Sequence, residues 1–242
     1  MTIVVQVDAA SFAYTIRHGG AKTLKDAAMY SIRRISSDVK VNALSDVSFT
    51  IEAGEVLAVV GRNGAGKSTL LKLLAKTLPP SRGAVRINGD IAPMIELGAG
   101  FNLELTGAEN IVLFGVLLGN SSKLMKAKVG EIAAWAGLED HIHLPVRTYS
   151  TGMVVRLGFA VATFRQSNLL IIDEVLAVGD ADFQAKSKAR IMELILGGEA
   201  TVLVSHDFET VAELATKVLW LDHGKQMALG SPSEVLDAYR KS

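Results

Sequence analysis

The feature that most constrains the fold is a glycine-rich nonapeptide, which reads Gly61-Arg62-Asn63-Gly64-Ala65-Gly66-Lys67-Ser68-Thr69. Its spacing matches the phosphate-binding loop Gly-x-x-x-x-Gly-Lys-Ser/Thr. In such a loop the glycines let successive backbone N–H groups turn towards anionic oxygens. Lys67 supplies a charge for the β- and γ-phosphates, and the Ser68 hydroxyl suits Mg²⁺. The apolar run at 56–60 predicts a buried parallel strand, and residues 69–76 predict a helix whose N-terminus faces the phosphates. A chance glycine-rich turn is the alternative interpretation.

Composition bounds the class of protein. The 242 residues suit one large α/β domain or a core with a subdomain, and 49% hydrophobic residues can form a sizeable core. No apolar run reaches membrane-spanning length, the N-terminus lacks the features of a secretory signal, and cysteine is absent. These features predict a cytosolic protein. Lys plus Arg equals Asp plus Glu at 25 each, so charge gives no case for a nucleic-acid partner.

Two hydrophobic periods predict a mixed sheet. Period-two alternation predicts half-buried antiparallel strands around Ile3, Val5 and Val7, around Val47, Phe49 and Ile51, and around Val85 and Ile87. Continuous apolar runs predict a covered parallel sheet at residues 56–60, 169–172 and 201–204.

Between residues 103 and 164 the pattern becomes helical. Helices are expected at 109–118, at 123–136 and after Ser150. The sequence therefore predicts a nucleotide-binding core with an antiparallel β subdomain over residues 1–92 and 166–242, and an inserted helical subdomain over 93–165. Near the end, Ser231-Pro232-Ser233-Glu234 is a capping box with proline at the first helical position.

Two acidic residues follow a buried strand directly. The run Leu169-Leu170-Ile171-Ile172 delivers Asp173 to the carboxyl edge, where ligands bind in parallel α/β sheets. Asp173 would complete the Mg²⁺ shell that Ser68 begins. Glu174 points differently and can reach an attacking water. The alternative is a strand end with two solvated acids.

A second anion site is predicted where Tyr149-Ser150-Thr151-Gly152-Met153-Val154-Val155-Arg156 opens a helix, because a serine and backbone amides lie at the helix N-terminus. An ordinary serine cap is the alternative. Here the chain resembles the ABC ATPases, whose signature is Leu-Ser-Gly-Gly-Gln followed by an arginine, and Ser150, Gly152 and Arg156 hold the matching places. The resemblance implies that Ser150 and Gly152 contact the γ-phosphate held by a partner subunit. The departures from the signature are Tyr149, Thr151 and Met153.

The same resemblance assigns roles to four further residues. His206 follows the apolar run at 201–204 and matches the switch histidine, which contacts the γ-phosphate and positions water. Asp180 matches a dimer contact, Tyr14 an aromatic residue that stacks on adenine, and Glu96 the glutamine beside the Mg²⁺ site. The alternatives are a satisfied histidine, an ordinary turn at Asp180, a core tyrosine at a strand end and a carboxylate that does not bind metal. The loop would contact ATP through Gly61, Asn63, Gly64, Ala65, Gly66, Lys67, Ser68 and Thr69.

Three segments resemble a narrower branch, the ATPases of polysaccharide export: residues 95–101, 149–153 and 173–180. That branch moves O-antigen, capsule or teichoic acid chains linked to lipid carriers. Residues 17–42 form a longer, basic stretch in which Leu24, Ala28, Ile32 and Ile35 recur at helical spacing. It either touches lipid headgroups or a permease, or is a solvated surface helix. A chain that ends at Ser242 is expected to lack the carbohydrate-binding domain that some members carry.

The resemblance implies an ATPase subunit of a polysaccharide exporter that uses ATP and Mg²⁺. Two copies would close around two nucleotides and drive a separate membrane permease, from a peripheral position on the cytoplasmic face of the cell membrane. Another cargo on the same fold is the nearer alternative. An ABC ATPase of DNA repair or ribosomes, or a P-loop kinase or GTPase, fits the motifs less well.

Overall fold

The computed structural model describes residues 2–16, 39–95, 98, 100–164, 167–173, 181–198, 200–205 and 207–242. Its strands are β1 (Ile3–Ile16), β2 (Val39–Glu52), β3 (Val56–Val60), β4 (Arg82–Ile87), β5 (Ile91–Met94), β6 (Leu169–Asp173), β7 (Ala200–Val204), β8 (Lys217–Asp222) and β9 (Lys225–Gly230). Its helices are α1 (Lys67–Leu74), α2 (Gly107–Leu117), α3 (Ser122–Ala136), α4 (Thr151–Ala162), α5 (Ala181–Leu196), α6 (Phe208–Leu214) and α7 (Pro232–Arg240).

The strands form one mixed sheet in the order β4-β1-β2-β9-β8-β3-β7-β6-β5. Strands β8, β3, β7, β6 and β5 are parallel neighbours, and every residue of β3 and β7 is buried. Strands β4, β1 and β2 pair antiparallel. The predicted α/β fold with a mixed sheet is confirmed, because the continuous apolar runs became covered parallel strands and the alternating runs became antiparallel strands.

The start of β1 departs from the predicted alternation. The register shifts between Ile3 and Val5, so Val4 and Val5 are both buried while Ile3 is 41% exposed. A bulge of this kind turns one residue out of the regular period. The predicted period-two alternation, which would place Ile3 on the same face as Val5 and Val7, is therefore wrong for Ile3.

The basic segment lies between two paired strand ends. Ile16 is opposite Val39, and Thr15 is opposite Lys40. Residues 39–42 therefore belong to β2 and are not helical. The helix predicted from Leu24, Ala28, Ile32 and Ile35 lies outside the described residues.

Helices α2, α3 and α4 pack together beside the sheet around Ile111, Met125 and Leu157, which are completely buried. These three helices are present as predicted, with their starts moved by at most two residues. Helix α2 begins at Gly107 because Thr106 and Glu109 form a capping box, in which the Thr106 N–H donates to the Glu109 carboxylate at 2.8 Å. Pro232 begins α7 after Ser231, as predicted.

The described helices include none that is both long and apolar enough to cross a bilayer.

Candidate functional site

The glycine-rich loop lies between β3 and α1, as predicted, and holds its lysine inward. Helix α1 begins at Lys67, two residues earlier than expected, because Gly66 is its N-terminal cap. The buried Lys67 ammonium donates to the carbonyl oxygens of Gly61 at 2.7 Å and Arg62 at 3.1 Å. In the described structure no side chain caps α1, and its first turn has no acidic residue. Its N-terminal N–H groups therefore suit an anionic ligand.

Gly66 is required by its backbone conformation and by its surroundings. Its φ is +104°, a value that residues with a Cβ rarely adopt. A Cβ added to Gly66 would lie 2.5 Å from the carbonyl oxygen of Ala43 and 3.0 Å from Leu44 Cδ2. The loop therefore packs directly against the backbone of β2.

The loop opens into a cleft of about 380 Å³ between β1, β2, α1 and the carboxyl ends of β6 and β7. The cleft is lined by Tyr14, Val41, Asn42, Ala43, Asn63, Gly64, Gly66, Lys67, Ser68, Thr69, Asp173 and Val204. Six of the predicted phosphate-loop contacts thus share one cavity with two predicted residues from distant segments. Gly61 and Ala65 are buried behind the loop, where the Gly224 N–H donates to the Ala65 carbonyl at 3.0 Å.

Tyr14 forms one wall of the cleft. It belongs to β1, lies opposite Val41 of β2 and is 40% exposed. Its hydroxyl oxygen is 3.5 Å from the Thr69 hydroxyl, and its ring meets the edge of Phe12 with 4.9 Å between the centroids. An exposed aromatic face beside a phosphate loop can stack on a purine base.

Asp173 and Ser68 bring two oxygen ligands to the same cleft. Asp173 ends β6 beside Val204 of β7, at the carboxyl edge of the parallel strands, and it is half-buried. Ser68 lies in the first turn of α1 and is exposed. Carboxylate and hydroxyl oxygens are ligands that Mg²⁺ accepts together with substrate phosphates. The residues present therefore fit this metal.

The signature-like segment lies apart from this cleft. Ser150 is exposed and caps α4, and its hydroxyl accepts the Met153 N–H at 3.2 Å. Neither Ser150 nor Gly152 is among the residues that line the cleft. The structure brings Gly98 close to α4 instead, since a Cβ on Gly98 would lie 2.4 Å from Val154 Cγ1.

Four predicted site residues, Glu96, Glu174, Asp180 and His206, lie outside the described residues. Next to the last of these, Asp207 caps α6. Its pKa is held below the ordinary value, chiefly by a hydrogen bond from the Thr210 hydroxyl and then by the Glu209 N–H.

A second cleft, of about 360 Å³, lies between α3, α4 and α5. The basic side chains that line it form hydrogen bonds with the backbone: Lys186 donates to the Trp135 carbonyl at 2.7 Å, and Arg190 donates to the Thr163 carbonyl at 2.7 Å. This cleft has no phosphate loop, so the cleft beside α1 is the candidate functional site.

Sequence reasoning missed Val41, Asn42 and Ala43, which line the cleft opposite the loop. A signal was present, because Val39, Val41 and Ala43 alternate with the polar residues Lys40 and Asn42, as in a strand. The helical spacing between residues 24 and 35 drew the whole segment into one prediction.

Comparison with known proteins gives the family. The family model described as ABC transporter matches residues 44–177, more than half of the chain. The chain is 38% identical over 231 residues to the O-antigen export system ATP-binding protein RfbB of Klebsiella pneumoniae, which covers 95% of this chain and 94% of the relative.

Other curated relatives are longer. The chain is 43% identical to the RfbB protein of Myxococcus xanthus over 87% of its own length, and spans 48% of that relative. It is 40% identical to the teichoic acids export ATP-binding protein TagH of Lactococcus lactis over 82% of its length, and spans 42% of that relative.

Two solved structures share the fold. One, described as the ATP-binding subunit of an ABC transporter, superposes with a TM-score of 0.74 at 23% identity and covers 98% of this chain and 93% of the other. The second is a dimeric ATP-binding cassette bound to ADP and phosphate, with a TM-score of 0.72 at 19% identity, covering 94% and 98%. On the family match and the sequence identities, the chain belongs to the ABC transporter family of ATP-binding proteins.

Proposed function

We propose that this chain is the ATP-hydrolysing subunit of an ABC exporter that moves a lipid-linked polysaccharide across the cytoplasmic membrane. The observation that carries the proposal is the convergence of a buried lysine, an uncapped helix N-terminus and a strand-end carboxylate in one cleft. The cargo class rests on relatives named for export of O-antigen and teichoic acids.

Nucleotide binding divides among the walls of the cleft. Tyr14 stacks on the adenine, while Lys67 and the loop amides between Gly61 and Thr69 hold the β- and γ-phosphates. Ser68 and Asp173 would hold Mg²⁺, with Glu96 as a third candidate ligand. The bound cation would neutralise part of the charge on the phosphates.

Hydrolysis requires residues that the sequence resemblance supplies. Glu174 accepts a proton from water as the water oxygen attacks the γ-phosphorus and the bond to the β,γ-bridging oxygen breaks. His206 contacts the γ-phosphate. The strand ends at Asp173 and Val204 support this arrangement, because Glu174 and His206 follow them closely in the chain.

A homodimer completes the site. Ser150 and Gly152 reach the γ-phosphate bound by the partner copy, and Asp180 lies at the dimer contact. The exposure of Ser150 and its distance from the cleft of its own chain support a role across an interface. The α4 N-terminus would add its positive dipole end to that contact.

The permease would bind an apolar surface at the end of α2, formed by the adjacent residues Val116 and Leu117. These side chains are 43% and 65% exposed. Exposed apolar groups at neighbouring positions typically mark a protein contact. The position is peripheral, on the cytoplasmic face of the membrane, and the basic residues of segment 17–42 would add attraction to lipid headgroups there.

The catalytic part is tested with Glu174→Gln. We expect the variant to bind MgATP with wild-type affinity and to hydrolyse it about 100- to 10,000-fold more slowly, the usual contribution of a general base. Multi-turnover hydrolysis at the wild-type rate would remove Glu174 from the mechanism.

The transport part is tested by pull-down of the tagged protein from its native membranes. We expect a multi-span permease encoded beside glycosyltransferase genes. Leu117→Asp should lose this partner, whereas Leu196→Asp, which alters an 81% exposed leucine at the end of α5, should retain it. Recovery with ribosomes or DNA, without a membrane partner, would refute the transport function while leaving ATP hydrolysis untouched.

A further inference from the structure

Tyr149, which replaces the leucine of the common signature, is fixed at both its backbone and its side chain. Its hydroxyl donates to the His141 carbonyl at 2.7 Å, and its N–H donates to the Val146 carbonyl at 2.9 Å. The ring packs in the helical core, and burial raises the pKa of the phenol. The hydroxyl therefore remains a proton donor at neutral pH.

The Tyr149 hydroxyl also fills the space above Gly107, the first residue of α2. A Cβ added to Gly107 would lie 2.3 Å from the hydroxyl oxygen. The same Cβ would lie 2.9 Å from Ile142 Cδ1 and 3.2 Å from the Ile142 carbonyl oxygen. The φ of Gly107 is not in the left-handed range, so space rather than backbone conformation requires glycine here.

Backbone hydrogen bonds also join the segment before α2, residues 103–107, to the segment before α4, residues 144–149. The N–H groups of Val146 and Arg147 donate to the carbonyls of Leu105 and Leu103, each at 2.9 Å. The Arg147 guanidinium pairs with the Glu104 carboxylate at 2.6 Å. Residues 103–107 and 144–149 therefore form a double-sided clamp, which ends at Tyr149, immediately before Ser150.

We propose that Tyr149 is a positioning residue, which through this clamp fixes the direction of the Ser150 hydroxyl and the first amides of α4. This inference rests on the proposed function, because Ser150 must meet a nucleotide held by the partner copy. A leucine at position 149 could pack but could not bond to the His141 carbonyl. The Tyr149 hydroxyl thus helps to fix the orientation of the signature segment in this chain.

The test is Tyr149→Phe, which keeps the ring and removes the hydroxyl. The matched control is Tyr239→Phe in α7, where the ring packs between Phe208 and Trp220 on another side of the molecule. Three readouts are taken: MgATP affinity of the monomer, MgATP-driven dimerisation in the Glu174→Gln background, and hydrogen exchange of the Met153 and Val154 amides.

We expect Tyr149→Phe to weaken dimerisation about tenfold, which corresponds to the loss of about one hydrogen bond. Exchange of the Met153 and Val154 amides should accelerate by a similar factor. The MgATP affinity of the monomer should stay at the wild-type value, because the cleft that binds it does not include Tyr149. The control should match the wild type in all three readouts.

A rescue experiment separates positioning from general stability. Gly107→Ala alone should weaken dimerisation more than Tyr149→Phe, because its methyl group overlaps the hydroxyl. The double variant should dimerise better than Gly107→Ala, since removing the hydroxyl makes room, although Ile142 still limits the recovery. If the double variant dimerises no better than Gly107→Ala, the proposed packing of the Tyr149 hydroxyl against Gly107 is refuted.

Two further outcomes count against the proposal. Wild-type dimerisation and exchange in Tyr149→Phe would exclude positioning by the hydroxyl. A loss of MgATP affinity in parallel with the loss of dimerisation would indicate a structural role alone. A wild-type protein that fails to bind MgATP or to dimerise would instead refute the proposed function, and amide exchange would still report separately whether the clamp holds α4.

Discussion

Gly64 and Gly66 provide a matched test of why the phosphate loop needs glycine at one position more than at another. Both have positive φ, +81° and +104°. A Cβ added to Gly64 meets no atom within 4 Å, whereas a Cβ on Gly66 lies 2.5 Å from the Ala43 carbonyl oxygen. Alanine at either position bears the conformational cost, and only alanine at Gly66 also overlaps the backbone of β2.

The magnitudes follow from that difference. The left-handed conformation costs an L-residue about 1–2 kcal/mol, which is the expected loss for Gly64→Ala. Overpacking against a neighbour that cannot move adds about 1–3 kcal/mol, so Gly66→Ala should lose about 2–5 kcal/mol. For a chain of this size, each 1 kcal/mol lowers the melting temperature by about 2–4 °C.

The assay is thermal unfolding of the wild type and both variants, with MgATP hydrolysis measured on the same samples. We expect the melting temperature of Gly66→Ala to fall about twice as far as that of Gly64→Ala. Hydrolysis by Gly66→Ala should fall by about 100-fold, because a loop displaced from β2 no longer aligns its amides with the phosphates. Equal destabilisation by the two substitutions would refute the reasoning from the Ala43 contact.

Three further predictions concern other parts of the molecule. Tyr14→Ala should raise the Kd for ATP about fivefold in equilibrium binding, since an aromatic stack is worth about 1 kcal/mol, while Tyr14→Trp should bind nearly as the wild type. Asn110→Ala should cost about 3 kcal/mol in thermal unfolding, because the buried Asn110 side chain donates to three loop carbonyls and accepts the Asn102 N–H, and all of these hydrogen bonds would be lost. The pKa values of Glu109 and Glu234 are lowered below 4.5, mainly by capping hydrogen bonds, so their stabilisation is fully present above pH 4.5 and is lost as pH falls towards their folded pKa values.

Each of these predictions has a contrary outcome. Unchanged ATP affinity in Tyr14→Ala would place the adenine elsewhere. A melting temperature of Asn110→Ala within 2 °C of the wild type, less than about 1 kcal/mol at this chain length, would show that the loop does not depend on those hydrogen bonds. For the capping boxes, Glu109→Gln should flatten the fall of stability below pH 4.5, and an unaltered acid limb would contradict the assignment.

Local patterns determined much of this protein. The phosphate loop could be recognised because its residues are contiguous and are flanked by a buried strand and a helix. The covered strands β3, β6 and β7 could be recognised because burial on both faces requires apolar residues throughout. The C-terminal helix was predicted because a capping box is satisfied within four residues.

Tertiary structure decided what no local pattern encodes. Val41 lies beside Tyr14 in the wall of the cleft because β2 returns antiparallel to β1 after the long segment 17–38, a pairing set by register and not by sequence spacing. The bulge at Ile3 comes from that same register. Position 66 requires glycine because the backbone of β2 passes 2.5 Å from where a Cβ would lie. Position 107 requires glycine because the Tyr149 hydroxyl occupies the space of a Cβ. The sequence specifies which chemistry the residues can perform, and the close approach of distant segments determines which side chains surround it.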